Sequence, residues 1–455
     1  MHVIPSKTEV LVVGSGYAGL SAAIEARLAG ASVLVIEKMA APGGNSIISD
    51  GGIAAVGTWE QNEQGIEDSV ELMVADMRKA ALYRSDLQLV SVVCVNSKDA
   101  YEWTKDLFDM QYRPRVEIFG GHSVPRCHTP VSVKGIDLLL KMMRKCEELN
   151  IPIVKNCEVK QIHLNKQGVS GVTVSINNIE EEISVEKALI VASGGFGADV
   201  EFRRQLDSRL DESVGTTNKT SANASLLQEC MRIGAQTVDL DCIQCGPWSS
   251  MDEKGFGLGP LFGDYVVFPY GILISRASSR RFVNELADRK VISDEMFKQN
   301  QWVLGLADQQ GMDTGGWDLN RAIERNVVRK FDSLKQISDE FKLDETVFME
   351  EIRRYNEFLN IGEDSDFNKM ITGDMKPILR PPFYIMRMWP KVHTTLGGLK
   401  IDTSARVLNH QHLPIGKLLA AGEVTGGIHG ASRLGSCAIT ECLVMGRIAG
   451  RNASK

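Results

Sequence analysis

With 455 residues the chain is long enough for two or three domains and a large core. Its 51 basic and 58 acidic residues leave a formal charge of −7, which argues against nucleic-acid binding by phosphate neutralisation. Hydrophobic residues at 43% and charged residues at 24% are ordinary globular values, and no apolar run is long enough to cross a bilayer.

The first core strand begins near Glu9, so no signal peptide is expected. Residues Glu9 to Lys38 carry the densest signal. An apolar β-branched run, Val10–Val13, ends in Gly14-x-Gly16-x-x-Gly19. A helical stretch follows, and a second apolar strand, Val33–Ile36, closes on Glu37. Gly14 permits the tight turn, Gly16 lets backbone approach a pyrophosphate, and Gly19 lets the helix pack close to the strand. The helix N-terminus offers free N–H groups and partial positive charge to phosphates. Glu37 can hydrogen-bond ribose hydroxyls. Strand, glycines, helix, strand and acid in that order predict a dinucleotide site. Gly43-Gly44-Asn45-Ser46 and Asp50-Gly51-Gly52 follow, with side chains small enough for a flat ring and a pyrophosphate to lie on backbone.

Ala188 to Gly197 is another buried strand ending in glycines, and Leu418 to Glu423 is a third. The dinucleotide domain is therefore expected to use both ends of the chain. Between them, from about Asp241 to Pro390, the texture changes to that of an inserted domain. Cys242-x-x-Cys245 has neither a second pair for zinc nor a following His for haem attachment, so it reads as two incidental thiols on one strand. No metal site is expected. A glycine-aromatic segment spans Gly255 to Gly271, and charged helical sequence runs from about Leu319 to Leu359. His393-Thr394-Thr-Leu-Gly-Gly398 falls at the return to the first domain. In the cluster Gly422 to Ser436, Ser436 is a plausible N-cap for a helix from about Cys437 to Ala449. Arg433 is suited to clamp a carboxylate by a bidentate contact. The boundaries expected are 1–240 and 393–455 for the two parts of the dinucleotide domain and 241–392 for the insert, with the ligand in the cleft between them. Nine scattered cysteines, an odd number, point to a reducing compartment, hence the cytoplasm.

The segments GSGYAGL, GGNSIISDGG, SVPRCHTP, VASGGFG, RRFVNELADR, HTTLGGLKID and GEVTGGIHGASRLGSCAI together resemble one family nearly end to end. It is the flavoprotein part of the soluble fumarate reductase (flavocytochrome c) and urocanate reductase group, within the succinate dehydrogenase and L-aspartate oxidase superfamily. The resemblance implies an α/β fold, a Rossmann-like FAD-binding domain of glutathione reductase type carrying an inserted α+β capping domain. It implies hydride transfer from N5 of reduced FAD to the β-carbon of an α,β-unsaturated acid. Arg289 would then protonate the α-carbon, although Arg normally holds its proton too tightly to be an acid. The family solution is a buried Arg fed by a proton relay. His393 and Arg433 would hold one carboxylate and stabilise an enolate-like transition state with positive charge. Ser436 would lie beside that substrate. The cofactor contacts implied are Gly14, Gly16, Ala18, Gly19, Glu37, Lys38, Gly44, Asn45, Ser46, Gly51, Gly52, Val159, Ser193, Gly194, Thr394, Gly422, Glu423, Arg433, Ser436, Ala438 and Ile439.

The departures from the family pattern bear on substrate. Gly246-Pro247-Trp248 replaces the usual His-Pro-Thr, whose His helps hold fumarate's second carboxylate. The downstream Thr-Glu pair is not recognisable in Asp252 to Ser275, which also removes the relay Glu. Trp248, Phe256, Phe262, Tyr265 and Tyr270 suggest instead an aromatic pocket or cap-domain packing. The Asp of the family's GDG turn near the adenosine is not clear around Asn223 to Ser225. No His precedes the GGNS cluster, so the FAD is expected to be noncovalent. No second GxGxxG serves a nicotinamide, so electrons are expected from outside: another protein, reduced flavin or an NADH-dependent reductase. The main expectation is a reductase of an unsaturated carboxylate, more active on a monocarboxylic enoate than on fumarate. Two alternatives are a dehydrogenase or oxidase acting in reverse on a ketosteroid-like or amino-acid substrate, and a noncatalytic electron-transfer subunit.

Overall fold

In a computed structural model, which describes residues 4–176 and 178–455, the runs Val10–Val13, Val33–Ile36 and Ala188–Val191 are buried at every position. Strands covered by helices on both faces of a parallel sheet require this. Lys7–Val13 pairs in parallel with Val33–Ile36, Val10 opposite Val33, and with Ile179–Val191, Val10 opposite Ala188. Pro414–Ala420 adds in parallel beyond Ile179–Val191, with Leu418 opposite Leu189. Residues from both ends of the chain thus build one eight-stranded sheet. The strand expected at Ala188 is longer than its apolar part. Ile179–Val191 is mostly exposed in its first half, where it pairs antiparallel with Gly168–Ile176. That half faces solvent on one side and carries no continuous apolar run.

Helix Tyr17–Leu28 leaves the first strand through Gly14, whose φ is +107° and where a Cβ would lie 2.2 Å from the Ala192 carbonyl oxygen. Gly19 closes the same contact from the helix: its Cβ would lie 2.0 Å from the Gly14 carbonyl oxygen. The last helix, Cys437–Ala453, packs along Tyr17–Leu28. It is four residues longer than the apolar pattern suggests.

The capping part has its own antiparallel sheet, in the order Ile272–Ile274, Val303–Asp308, Phe383–Met388, Arg329–Phe331. One apolar cluster, with Trp248, Phe262 and Val266, includes Leu273, Ala307 and Met386. A second, with Phe341, Phe348 and Tyr355, includes Ile272, Leu306 and Ile385. The alternate residues of each strand therefore serve different cores. The stretch read as helical from Leu319 to Leu359 is three helices, Asn320–Glu324, Leu334–Phe341 and Glu345–Ile361, interrupted by the edge strand Arg329–Phe331. The glycine-aromatic segment folds into short helical turns, including a π-helical turn at Gly263–Val267. The two connections between the capping part and the large sheet run as an antiparallel pair, Ile243–Gly246 against Lys391–Thr395. All nine cysteines are free, and Cys242 lies just before the strand that holds Cys245. No helix among the described residues is long and apolar enough to cross a membrane.

The contact between the first and last helices is set by Gly446 and Gly450; a Cβ at Gly450 would lie 2.2 Å from the Ala22 carbonyl oxygen. Gly450→Leu should push the helices apart and lower the unfolding free energy by about 1–3 kcal/mol or more. A denaturant midpoint equal to that of the parent protein would show that the two helices separate freely.

Candidate active site

Helix Tyr17–Leu28 starts at Gly16 with no side-chain cap, and its first turn lines an elongated cavity. Glu37, Lys38 and Val159 line the same cavity, as do Gly14, Gly16, Ala18, Gly44, Asn45, Ser46, Ser193, Gly194, Gly422 and Glu423. The walls are backbone and small side chains beside a helix N-terminus, which suits a pyrophosphate. Glu37 is engaged within the loop as well: it accepts from the Ser15 N–H at 3.2 Å and the Met39 N–H at 2.8 Å. A second cavity shares Tyr17, Asn45, Ser46, Glu423 and Cys442 with the first. Thr394, Arg433, Ala438 and Ile439 line it together with His393.

Four of the expected cofactor residues line neither cavity: Gly19, Gly51, Gly52 and Ser436. Gly19 serves helix packing instead. Gly51 abuts Pro130 and Gly135, and a Cβ on Gly52 would lie 2.8 Å from the Ser436 hydroxyl. Ser436 occupies the N-cap position of Cys437–Ala453 in a left-handed conformation, φ 62°, but its side chain makes no capping bond. Its hydroxyl is buried without a partner. Other lining residues carry no motif of their own. Asn223 and Ser225 line the cavity that holds Glu37, and His429 lines the second cavity from within the Gly422 to Ser436 cluster.

At the opposite end the charges are arranged around Arg433. Its guanidinium is buried, with no carboxylate in salt-bridge range among the described residues, and Nη1 donates only to the Leu434 carbonyl at 3.2 Å. Nε has no partner. Burial, then the nearby charge of Arg289, lowers Arg433 to about 10, so it stays cationic at neutral pH. Burial and then these two cations push His393 well below the usual histidine range. The positive charge expected from His393 is therefore absent, and Arg433 supplies it. Thr217 Oγ1 holds the His393 ring at Nδ1, 2.9 Å away.

Arg289 begins helix Arg289–Lys298 and donates to Asp264 at 2.9 Å. Its guanidinium carbon stands 5.6 Å from the Trp248 ring centroid, and the same ring meets His393 edge-on at 4.8 Å. Phe256 packs 5.4 Å from Trp248. The other aromatics do not join this wall. Phe262 belongs to the capping core, Tyr265 donates to Asp50 at 2.8 Å, and Tyr270 donates to Asp374 at 3.1 Å. A Cβ on Gly246 would lie 2.8 Å from Trp248 Cη2 and Cζ2. The indole thus occupies the space that a side chain at 246 would need.

The sequence profile described as FAD binding domain matches residues 9–439. The chain belongs to this FAD-binding family. It is 36% identical to the acrylate reductase flavoprotein subunit of Shewanella woodyi, over 98% of this chain and 91% of that protein. It is 32% identical to the urocanate reductase of Eggerthella lenta, over 99% of this chain and 75% of that one. The solved open conformation of a flavocytochrome c3 fumarate reductase superposes with a TM-score of 0.79 at 30% identity, covering 99% of this chain and 78% of that chain. A 3-ketosteroid Δ1-dehydrogenase from Sterolibacterium denitrificans reaches 0.79 at 17% identity, with 99% of each chain covered, and so shares the fold. This flavoprotein is accordingly an FAD-dependent oxidoreductase of the fumarate-reductase-like group, and its cavities fit the cofactor the family carries.

Glu441 projects into the second cavity and accepts from the Gly422 N–H at 3.1 Å. Burial raises its carboxyl from 4.5 to about 8, with Glu423 adding to the rise and the Gly422 and Cys442 donors opposing it. The folded protein then keeps a proton that the unfolded chain releases near pH 4.5. The corresponding stability is full below that pH and is lost as pH rises towards 8. Glu441→Gln should raise the Tm of the flavin-free protein at pH 8 and leave it nearly unchanged at pH 5. An equal change at both pH values would show that this carboxyl does not titrate in the window.

Proposed function

We propose that the protein reduces the C=C bond of an α,β-unsaturated monocarboxylic acid in preference to fumarate. The observation that carries this is the unpaired Arg433 guanidinium. A buried cation without a counter-ion is costly, and a substrate carboxylate removes that cost with two parallel hydrogen bonds. His393, neutral and oriented by Thr217, adds a hydrogen bond at the same cavity. Bound FAD supplies the hydride. Arg433 stabilises the negative charge that develops on the carboxylate side, and Arg289 gives the proton to the α-carbon. Trp248, packed against the cavity-lining His393 and Phe256, backs the tail side of the substrate, with Gly246 against its ring. Asp264 pairs with Arg289, so among the described residues that guanidinium is not left free for a second carboxylate. The likeness to acrylate and urocanate reductases supports a substrate with one carboxylate. The FAD is held noncovalently, the electrons come from an external donor, and the protein works in the cytoplasm. A ketosteroid substrate brings no charge to Arg433, which disfavours the reverse reaction.

With chemically reduced enzyme, kcat/KM for the best of acrylate, crotonate, cinnamate and urocanate should exceed that for fumarate by about 100-fold or more, the worth of roughly 3 kcal/mol of unpaired charge. Gly246→His with Trp248→Thr should narrow the gap, whereas Gly246→His alone collides with the indole and should mainly destabilise. Fumarate as the best substrate would overturn the proposal.

Arg289→Ala should retain FAD, released intact by acid precipitation, and lose about 10²–10⁴-fold in turnover. Arg289→Lys should recover little of it. Near-normal turnover in Arg289→Ala would assign the proton to another group, and FAD remaining with the precipitate would show covalent attachment.

A further inference from the structure

Asp50 opens the short run Asp50-Gly51-Gly52, and its side chain lines neither of the two cavities described above. The residues just before it, Ile48 and Ser49, line the second cavity, which holds His393 and Arg433. Asp50 Oδ2 accepts from the Tyr265 hydroxyl at 2.8 Å, and Oδ1 accepts from the Gly52 amide at 3.0 Å. Tyr265 lines a different space, a cavity of about 1000 Å³ between loop 115–123 and the capping part. The Asp50–Tyr265 bond therefore lies between the inner cavity and this outer one. It also joins the two parts of the molecule across that partition.

The outer face of the partition is aromatic. The Tyr265 ring packs 4.5 Å from Trp317 and 5.2 Å from Phe119. A Cβ on Gly435, two residues past Arg433, would lie 2.7 Å from Phe119 Cβ. Asp50 approaches the same loop from the other side. A Cβ on Gly52 would lie 3.5 Å from Asp50 Oδ1 and 2.8 Å from the Ser436 hydroxyl. Both partners of Asp50 are uncharged, and no ion pair offsets its charge among the described residues. That charge reaches the site. Burial and Arg289 lower Arg433, and Asp50 is among the groups that oppose them; burial raises Asp264, and Asp50 adds to the rise. Arg289 is already paired with Asp264. One substrate carboxylate therefore balances Arg433, and a second would face Asp50 and Asp264 with no cation left for it.

We propose that Asp50 is a specificity-determining residue: its carboxylate, held between the two cavities by Tyr265, repels a second carboxylate on the substrate and so favours a monocarboxylic enoate. The proposal rests on the reductase reading above. Asp50 makes and breaks no bond in the reaction; it acts through its charge. Two like charges about 10 Å apart at an effective dielectric of about 20 shift an equilibrium by roughly tenfold.

The test uses the FAD-loaded enzyme with acrylate and fumarate. Asp50→Asn keeps the shape and an acceptor oxygen but removes the charge. The acrylate-to-fumarate ratio of kcat/KM should fall about tenfold, mainly through a rise for fumarate. Titration of the oxidised flavin spectrum with the saturated acids should show succinate gaining about tenfold over propionate. Asp50→Glu keeps the charge and should hold the ratio within about threefold of the parent. Tyr265→Phe removes only the hydroxyl partner and should do the same. FAD content reports folding, and Asp50→Ser, also neutral, repeats the test if Asp50→Asn holds no FAD. An unchanged ratio in the FAD-replete neutral variant would overturn the proposal and leave the reductase reading standing. Equal falls in Asp50→Asn and Tyr265→Phe would assign the effect to the bond between the two parts instead of the charge, and overturn it too. If the parent enzyme is reoxidised by no enoate, the reductase reading itself fails, and the proposal falls with it.

Discussion

A guanidinium buried without a carboxylate partner is the constraint around which this molecule is arranged. Arg433 sits in the loop between strand Pro414–Ala420 and helix Cys437–Ala453, fixed by one bond to its neighbour's carbonyl. Burial weakens its hold on its proton without neutralising it. Burial, and then the Arg433 charge, keeps His393 and His429 neutral, so among the described residues lining this end of the cavity Arg433 is the one cation, flanked by uncharged rings. Such a site favours an anion and tolerates little else, because most alternatives leave the charge unpaired.

The loop that presents Arg433 is anchored by a buried ionic network. Arg126 is fully buried and donates to Asp68 at 2.8 Å and to Asp76 at 2.7 Å. Its Nη1 also faces His122 Nδ1 at 3.3 Å, and His122 Nε2 donates to the Gly435 carbonyl at 3.0 Å. Phe119 packs where a side chain on Gly435 would project. The segment SVPRCHTP thus acts on the site at a distance: its Arg holds the His that holds the loop.

The two ends of the site belong to different parts of the chain. Arg433 and the flavin cavity rest on the large sheet. Trp248, Asp264 and Arg289 rest on the capping part. The antiparallel pair Ile243–Gly246 and Lys391–Thr395 joins them and puts Gly246 opposite Lys391, two residues from His393. Lys391 Nζ reaches back to the Glu253 and Gly255 carbonyls, tying the segment that carries Phe256 to this crossing. The placing of Trp248 relative to His393 is therefore set by one short ladder.

The sequence alone determined the large sheet, the glycine turn and the cofactor, because those features depend on contiguous residues: a strand buried on both faces must be apolar throughout, and a phosphate turn must contain glycine at fixed spacing. It also placed Arg289, His393 and Arg433 in motifs legible from contiguous residues. It did not show that His393 is neutral, because its charge depends on burial and on two arginines far away in sequence. No Thr-Glu pair is recognisable in Asp252 to Ser275. Asp264 has no motif around it and becomes Arg289's partner only through a π-helical turn. Of the five aromatics from Trp248 to Tyr270, Trp248 and Phe256 face His393, Phe262 shares the capping core with Trp248, and Tyr265 joins the core of the large sheet. Only the tertiary structure decided these points, because charge state, pairing and facing are properties of what surrounds a residue rather than of the residue itself.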